Sequence, residues 1–312
     1  MIAFGPVPSR RLGKSLGVNN ITAHKNCSYS CVYCQIGITN ILSANRVCFY
    51  EPYVLLSEVE KHIKKLDNKD LPDYLTFVAK GEPTLDINIG KEIKLLKSLG
   101  FPVALITNSS LIGEESVRED ISNADWISLK VDSVDNDVWK KINQPNEHLN
   151  LEKILEGIAL FAKAYRGSLH TETMLVAGYN DTERILKQNS EFITSLNVET
   201  AFLSIPIRPP AIKNIKSVSE AKIAEAWQIY NDSGINTELI VGFEGTLSAS
   251  TGNVAEDILN ITAVHPLRED SIMQLLEQNG ADFTIIELLL EQKRIIKTNY
   301  TGYNYYLRNL NK

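Results

Sequence analysis

Three cysteines stand close together in the run Cys27-Ser-Tyr-Ser-Cys31-Val-Tyr-Cys34. A Cys-x3-Cys-x2-Cys spacing gathers three thiolates on one short loop and leaves a fourth metal position empty. Iron–sulfur clusters are held by cysteine thiolates, and a [4Fe–4S] cube takes four when the protein saturates it. Three local ligands therefore leave one iron able to bind a molecule from outside. Structural zinc is the competing reading, with His24 available as a fourth ligand, but zinc sites usually pair their ligands and no second Cys-x2-Cys is present. A disulfide reading requires an oxidising compartment, which nothing in the sequence suggests.

Four cysteines, three of them in this loop, indicate a reducing cytoplasm. The opening MIAFGPVPSRRLGKS lacks the apolar core of a signal peptide, and no apolar run reaches membrane-spanning length. A formal net charge of −6 gives no pull toward nucleic acid or anionic lipid. At 312 residues and 44% apolar, the chain can form one large α/β domain with a small appendage.

After the cysteine loop, apolar spacing predicts a helix over 57–66. Strands at 74–78, 103–107, 126–131, 170–176, 201–205 and 237–241 then alternate with helices over 87–99, 114–123, 151–165, 181–196 and 217–231. With the segment 15–18 this makes six or seven strands, which read as βαβ units of a parallel sheet. Repeated right-handed crossovers close such a sheet into a full or partial barrel, with chemistry at the carboxyl ends of the strands.

Those ends are polar or glycine-containing. The strand at 74–78 leads into Ala79-Lys80-Gly81-Glu82-Pro83-Thr84, where a carboxylate suits an ammonium and a glycine lets backbone approach a ligand; a plain turn is the alternative. Thr107-Asn108-Ser109 ends the next strand, with a helix N-cap as its alternative. Ser128-Leu129-Lys130-Val131-Asp132-Ser133 puts Lys130 and Asp132 at alternate positions, either in the barrel mouth or as a structural pair. Val176 and Gly178 close the 170–176 strand, and Asn180 or Asp181 reads as the cap of the following helix. Arg208, in Ile205-Pro206-Ile207-Arg208-Pro209-Pro210, carries a rigid donor fork suited to a carboxylate or phosphate.

Together with the cysteine triplet, these strand ends resemble the signature of the radical S-adenosylmethionine (SAM) superfamily. The resemblance implies a partial (β/α)6 barrel whose open side faces a large substrate. It implies two cofactors, a [4Fe–4S] cluster held by Cys27, Cys31 and Cys34, and SAM chelating the fourth iron. Cleavage of SAM then gives a 5′-deoxyadenosyl radical that abstracts hydrogen from a substrate. On this resemblance Tyr33 is the aromatic residue beside the third cysteine, and Gly81 and Glu82 meet the SAM amino group. Asn108 lies near its ribose or carboxylate, and Val176 and Gly178 pack its adenine. Lys130 and Asp132 join the cofactor site as part of a Leu-Lys-Val-Asp element. The opening Phe4–Val18 stretch wraps around something, and its Arg10 and Arg11, with Arg208, are substrate-binding candidates; a solvated basic tail is the bland alternative. As a set, these motifs resemble archaeal and bacterial radical SAM iron–sulfur oxidoreductases loosely related to the wybutosine-synthesis radical enzyme. That enzyme uses a second cluster, whereas only Cys48 is left over here and reads as a buried apolar residue. Wybutosine chemistry is therefore not carried over.

The barrel is expected over 1–245 and a different unit over 246–312. Helices over 254–262, from His265 to before Gly280 and from Asp282 to Gln292, followed by a hairpin at 294–298 and 303–307, predict a winged helix-turn-helix-like module. Its acidic residues outnumber its basic ones, and its third helix carries Asp282, Glu287 and Glu291, so sequence-specific DNA binding is not expected. A protein- or peptide-binding or lid-like role is, with RNA contact through the wing second. The expected function is a cytoplasmic radical SAM enzyme modifying a macromolecule, RNA or polypeptide, with a reductant protein such as ferredoxin or flavodoxin and no membrane partner. One alternative is small-metabolite or cofactor biosynthesis, with Arg10, Arg11, Lys130 and Arg208 binding carboxylates or phosphates. The other is a non-catalytic metal-binding regulator.

Overall fold

The computed structural model describes residues 2–22, 24–242 and 251–309. The chain opens with an antiparallel hairpin, β1 (Ala3–Ser9) and β2 (Gly13–Val18). Two-residue segments β3 (Asn26–Cys27) and β4 (Ile41–Leu42) pair within the cysteine region. There follow α1 (Pro52–Ile63), β5 (Tyr74–Phe77), α2 (Ile89–Lys97), β6 (Val103–Thr107), α3 (Glu115–Ile121) and β7 (Trp126–Lys130). Next come α4 (Asn136–Asn143), α5 (Leu151–Ala164), β8 (Ser168–Met174), α6 (Glu183–Thr194), β9 (Thr200–Ser204), α7 (Glu220–Asp232) and β10 (Thr237–Ile240). The main sheet runs β1-β2-β5-β6-β7-β8-β9-β10, parallel throughout except for the β1–β2 pair. Its margins, β1 and β10, do not pair with each other, so the sheet is an open half-barrel.

Seven parallel strands agree with the expected count, and β1 is an addition. Its Gly5, Pro6 and Pro8 made it look like loop, but a margin strand tolerates prolines because one of its edges needs no N–H donors. Helix α4 was also not expected; Val138, Trp139 and Ile142 are its only large apolar residues, and the Asp135 side chain caps it.

Side chains alternate across each strand. Leu75, Phe77, Leu105, Ile127, Leu129 and Leu203 pack outward against the helices. Ala104, Ile106, Trp126, Phe202 and Ile240 point inward, where Leu12 from the β1–β2 turn packs on them and plugs the floor. Arg10, on the same turn, donates to the Ile240 and Gly242 carbonyls at 2.7 and 2.8 Å, tying the hairpin to the opposite margin.

The C-terminal part contains α8 (Val254–Thr262), β11 (Leu267–Arg268), α9 (Glu269–Gln278), α10 (Thr284–Glu291), β12 (Ile295–Tyr300) and β13 (Tyr303–Arg308). Its strands form an antiparallel sheet in the order β11-β13-β12. Its core is shared with the barrel: Phe4 of β1 is 3% exposed among Ile258, Leu275 and Tyr306, a burial worth about 1.5–3 kcal/mol. A Cβ on Gly17 would lie 2.0 Å from the Phe4 ring, so the ring's seat depends on that glycine. Beyond the end of β9, the Tyr300 and Tyr305 hydroxyls donate to the Pro206 and Ile207 carbonyls at 3.0 and 2.9 Å. The C-terminal part thus packs against β1 and against the segment that follows β9. The boundary expected at 245/246 lies outside the described residues.

Cys48 corrects an expectation. It is exposed, its thiol beside the Tyr50 carbonyl (3.5 Å) and the Asn88 amide (3.2 Å), because its loop runs over the surface. Among the described residues, no helix is long and apolar enough to cross a membrane.

Candidate active site

Cys27, Cys31 and Cys34 all line one cavity of about 320 Å³ above the barrel floor. Each sulfur has its own N–H donor: Asn108 Nδ2 reaches Cys27 at 3.5 Å, Asn143 Nδ2 reaches Cys31 at 3.4 Å and Lys25 Nζ reaches Cys34 at 3.2 Å. Lys25 is 1% exposed, and although burial lowers its pKa, the neighbouring cysteine sulfurs outweigh that and leave it raised. Burial first, then Asp132, pushes the Cys31 thiol up to about 12, and burial pushes Cys27 up as well. Thiolates in such surroundings need a compensating cation, and a coordinated metal supplies it. Among the described residues no three Cys, His, Asp or Glu side chains converge as they do around a single ion. Three thiols facing a shared cavity, each with a donor, fit a [4Fe–4S] cluster in which every cysteine meets its own iron.

The Gly-Glu-Pro strip is stitched to this loop. Gly81 (φ +147°) bridges Asn26, and Glu82 N–H donates to the Asn26 carbonyl at 3.1 Å. A Cβ on Gly81 would fall 1.7 Å from that carbonyl oxygen. The Glu82 carboxylate, 1% exposed, accepts from Thr84 Oγ1 (2.7 Å), Thr84 N–H (3.1 Å), Thr107 Oγ1 (2.6 Å) and Asn108 N–H (2.7 Å). Burial raises its pKa, with those donors working against the shift. Glu82 therefore joins the ends of β5 and β6. Asn108 in turn donates to Ser28 Oγ at 2.9 Å, and its own Oδ1 accepts from Ser110 N–H at 2.9 Å.

Asp132 anchors the other side. Its carboxylate accepts from the Tyr33 hydroxyl, Asn143 Nδ2 (2.7 Å) and Met174 N–H (2.8 Å), so it orients the amide that reaches Cys31. Lys130 and Asp132 do not pair with each other. Lys130 Nζ instead donates to Glu172 Oε1 at 2.9 Å and sits 5.2 Å from the Tyr33 ring centroid. Burial lowers the Lys130 pKa, but Glu172 and Asp132 more than reverse that. Tyr33, Gly81, Glu82, Asn108 and Lys130 line the cavity; Asp132, Val176 and Gly178 do not. Val176 packs with Val32, Ile142 and Ile215 next to Tyr33, and Gly178 is exposed. Thr182 caps α6, in place of Asn180 or Asp181, whose side chains accept from Val176 and Gly178 N–H.

Arg10, Arg11 and Arg208 also line the cavity and are not a solvated tail. Arg11 pairs with Glu172 inside the barrel, where Ser204 Oγ adds a bond at 2.8 Å. Burial alone would raise the Glu172 carboxyl, yet Lys130 and Arg11 hold it well below the usual carboxylate range. Arg208, 7% exposed, donates to Gln35 Oε1 at 3.1 Å and meets His265 Nε2 of the C-terminal module at 2.7 Å. Gln35, next to Cys34, donates to the Val264 carbonyl at 3.2 Å. The sequence offered no sign of Asn143, Glu172 or His265 at the site, because each arrives from a distant segment and none belongs to a local motif, whereas Gln35 directly follows the third cysteine. Lys25 had a signal, a lysine two residues before the first cysteine.

The description of the Radical SAM superfamily matches residues 21–188. The chain is 48% identical over 311 residues to the UPF0026 protein MJ1312 of Methanocaldococcus jannaschii, covering 99% of this chain and 96% of that one. A radical SAM methyltransferase from Sphaerobacter thermophilus superposes with a TM-score of 0.55 at 12% identity, covering 80% of this chain and 69% of that chain. Streptococcus suis SuiB, bound to precursor peptide SuiA, superposes at 0.53 with 11% identity over 72% of this chain and 48% of that chain. These two structures share the fold. With the cysteine loop and its donors at the mouth of that half-barrel, the chain belongs to the radical SAM superfamily of enzymes and, within it, to the UPF0026 family.

Proposed function

We propose that this radical SAM enzyme acts on a compact substrate taken into the half-barrel beneath its own C-terminal module. The cluster and SAM, when bound, supply a one-electron reductive cleavage that yields a hydrogen-abstracting carbon radical; the protein supplies binding, orientation and exclusion of side reactions. Cys27, Cys31 and Cys34 are the cluster ligands, steadied by Asn108, Asn143 and Lys25. The Gly81–Glu82 strip and Asn108 border SAM on one side, and Tyr33 and Lys130 on the other. Asp132 acts by holding Tyr33 and Asn143, while Val176 backs Tyr33 from outside the cavity and Gly178 lies on the surface. Arg10, Arg11 and Arg208 face the substrate. A ferredoxin or flavodoxin delivers the electron.

The observation that carries this reading is the module's position. It packs on Phe4 at the β1 margin and on Pro206 and Ile207 beyond the end of β9, and it contributes His265 to the cavity wall. The expectation of a macromolecular substrate rested on an open barrel and on the extra module; here that module lies against the barrel and lines the same cavity. The winged-helix-like module then serves as a fixed wall. A polypeptide or RNA substrate is the second reading, favoured by the peptide bound to SuiB; here it requires the module to move aside. The test is 5′-deoxyadenosine formation by the cluster-loaded, reduced protein with SAM and separate metabolite, RNA and protein fractions. Stimulation by the metabolite fraction supports the compact substrate. Stimulation by RNA or protein alone overturns it.

A further inference from the structure

We infer that the floor of the half-barrel binds a substrate oxyanion, a carboxylate or a phosphate, through Arg11 and Ser128. The inference rests on the radical SAM reading and names what the substrate must carry.

The β1–β2 turn folds into the barrel. Leu12 sits at the bottom against Trp126 and Phe202, and Arg11 rises from it to Glu172, its guanidinium carbon 5.9 Å from the Phe202 ring centroid. This layer is rich in donors and poor in acceptors. Glu172 Oε1 already accepts from Lys130 and Ser204, and Oε2 accepts from Arg11. Two cations therefore share one carboxylate. The next carboxylate, Asp132, is turned toward Tyr33, Asn143 and the Met174 amide and does not line the cavity.

Ser128 supplies an independent observation. It is 1% exposed, lines the cavity, and its Oγ has no hydrogen-bond partner. Buried hydroxyls are nearly always partnered, so an unpartnered one in a residue that lines a cavity points to a ligand atom. Ser128 precedes Lys130 by two residues on the same face of β7, one pleat toward the floor and away from the cysteine loop. The remaining Arg11 N–H groups, the remaining Lys130 protons and the Ser128 hydroxyl offer donors to one space, and the guanidinium fork matches a planar carboxylate or a phosphate. Lys130 stands between this floor and the cysteine loop, so the oxyanion held here is not the carboxylate of SAM.

The test is calorimetric titration of the cluster-loaded protein, saturated with SAM, with malonate and, separately, with inorganic phosphate. At least one probe binds, and which one it is tells carboxylate from phosphate. Arg11→Gln weakens that binding about tenfold or more, Arg11→Lys less, and Ser128→Ala about threefold. Iron content and melting temperature, measured on each variant, separate lost affinity from lost fold, and Ser128→Ala tests the site should the hairpin plug not tolerate changes at Arg11. Equal binding by wild type, Arg11→Gln and Ser128→Ala overturns the inference, as does failure of both probes to bind. Wild type that takes up no cluster or no SAM overturns the radical SAM reading along with it, whereas a loaded protein indifferent to both probes overturns this inference alone.

Discussion

Gly81→Ala is the sharpest local perturbation of the site. Its Cβ would stand 1.7 Å from the Asn26 carbonyl oxygen, whereas real Cβ contacts stay beyond 3.0 Å, so the two segments must part by at least the difference, 1.3 Å. That movement breaks Glu82 N–H to Asn26 O (3.1 Å) and Asn26 N–H to Lys80 O (3.2 Å). Each bond contributes about 1 kcal/mol net. A φ of +147° in a residue with a Cβ costs about 1–3 kcal/mol more. The total is about 3–5 kcal/mol, or a fall in melting temperature of roughly 5–10 °C. Because Asn26 adjoins Cys27, the displacement also reaches a cluster ligand, so iron content after anaerobic reconstitution falls with it. Gly178→Ala is the control: φ is positive there too (+77°), but no atom lies within 4 Å of the added Cβ. Its cost is confined to about 1 kcal/mol of backbone strain. Thermal melts and iron analysis of both variants decide the matter. Gly81→Ala melting and loading iron like wild type would refute the stitching argument.

Other expectations follow from buried charges and donors. Asp132→Asn replaces an acceptor that serves Tyr33, Asn143 and the Met174 amide, and urea denaturation should show a loss of about 2–4 kcal/mol. Lys25→Met removes a buried cation from Cys34 and should lower the reduction potential of the cluster, read by redox titration; an unchanged potential would deny Lys25 any electrostatic part. Glu92 is fully buried, and burial, reinforced by Asp86, raises its pKa to about 8. Between about 4.5, its unfolded value, and about 8 the folded chain keeps a proton that the unfolded chain has lost, so this group makes stability fall as pH rises through that window. Glu92→Gln should flatten that fall and raise the melting temperature at pH 8 relative to wild type. A parallel pair of melting-versus-pH curves would contradict the assignment.

The parts legible in the sequence are those encoded locally. The cysteine triplet, the strand–helix alternation and the glycine before Glu82 each fit within a few residues, so periodicity and spacing expose them. What was not legible depends on segments far apart in the chain meeting in space. Asn143 reaches Cys31 from a short helix whose sequence is mostly polar, and its amide has no local signature of a sulfur donor. The prolines of β1 signal loop unless the strand is known to lie at a sheet margin. Phe4 looks like an ordinary N-terminal apolar residue, yet it is buried in the core of the C-terminal part and ties that part to β1. Glu82 shows a related effect. Its type was evident, but only the folded ends of β5 and β6 reveal that its carboxylate is bonded within the protein.

The most direct test of the central claim is electron paramagnetic resonance of the reduced, anaerobically reconstituted protein, recorded without and with SAM. The account predicts a [4Fe–4S] signal whose g values move when SAM is added, because three cysteines leave one iron open to it. A cluster signal that SAM leaves unmoved would contradict the account.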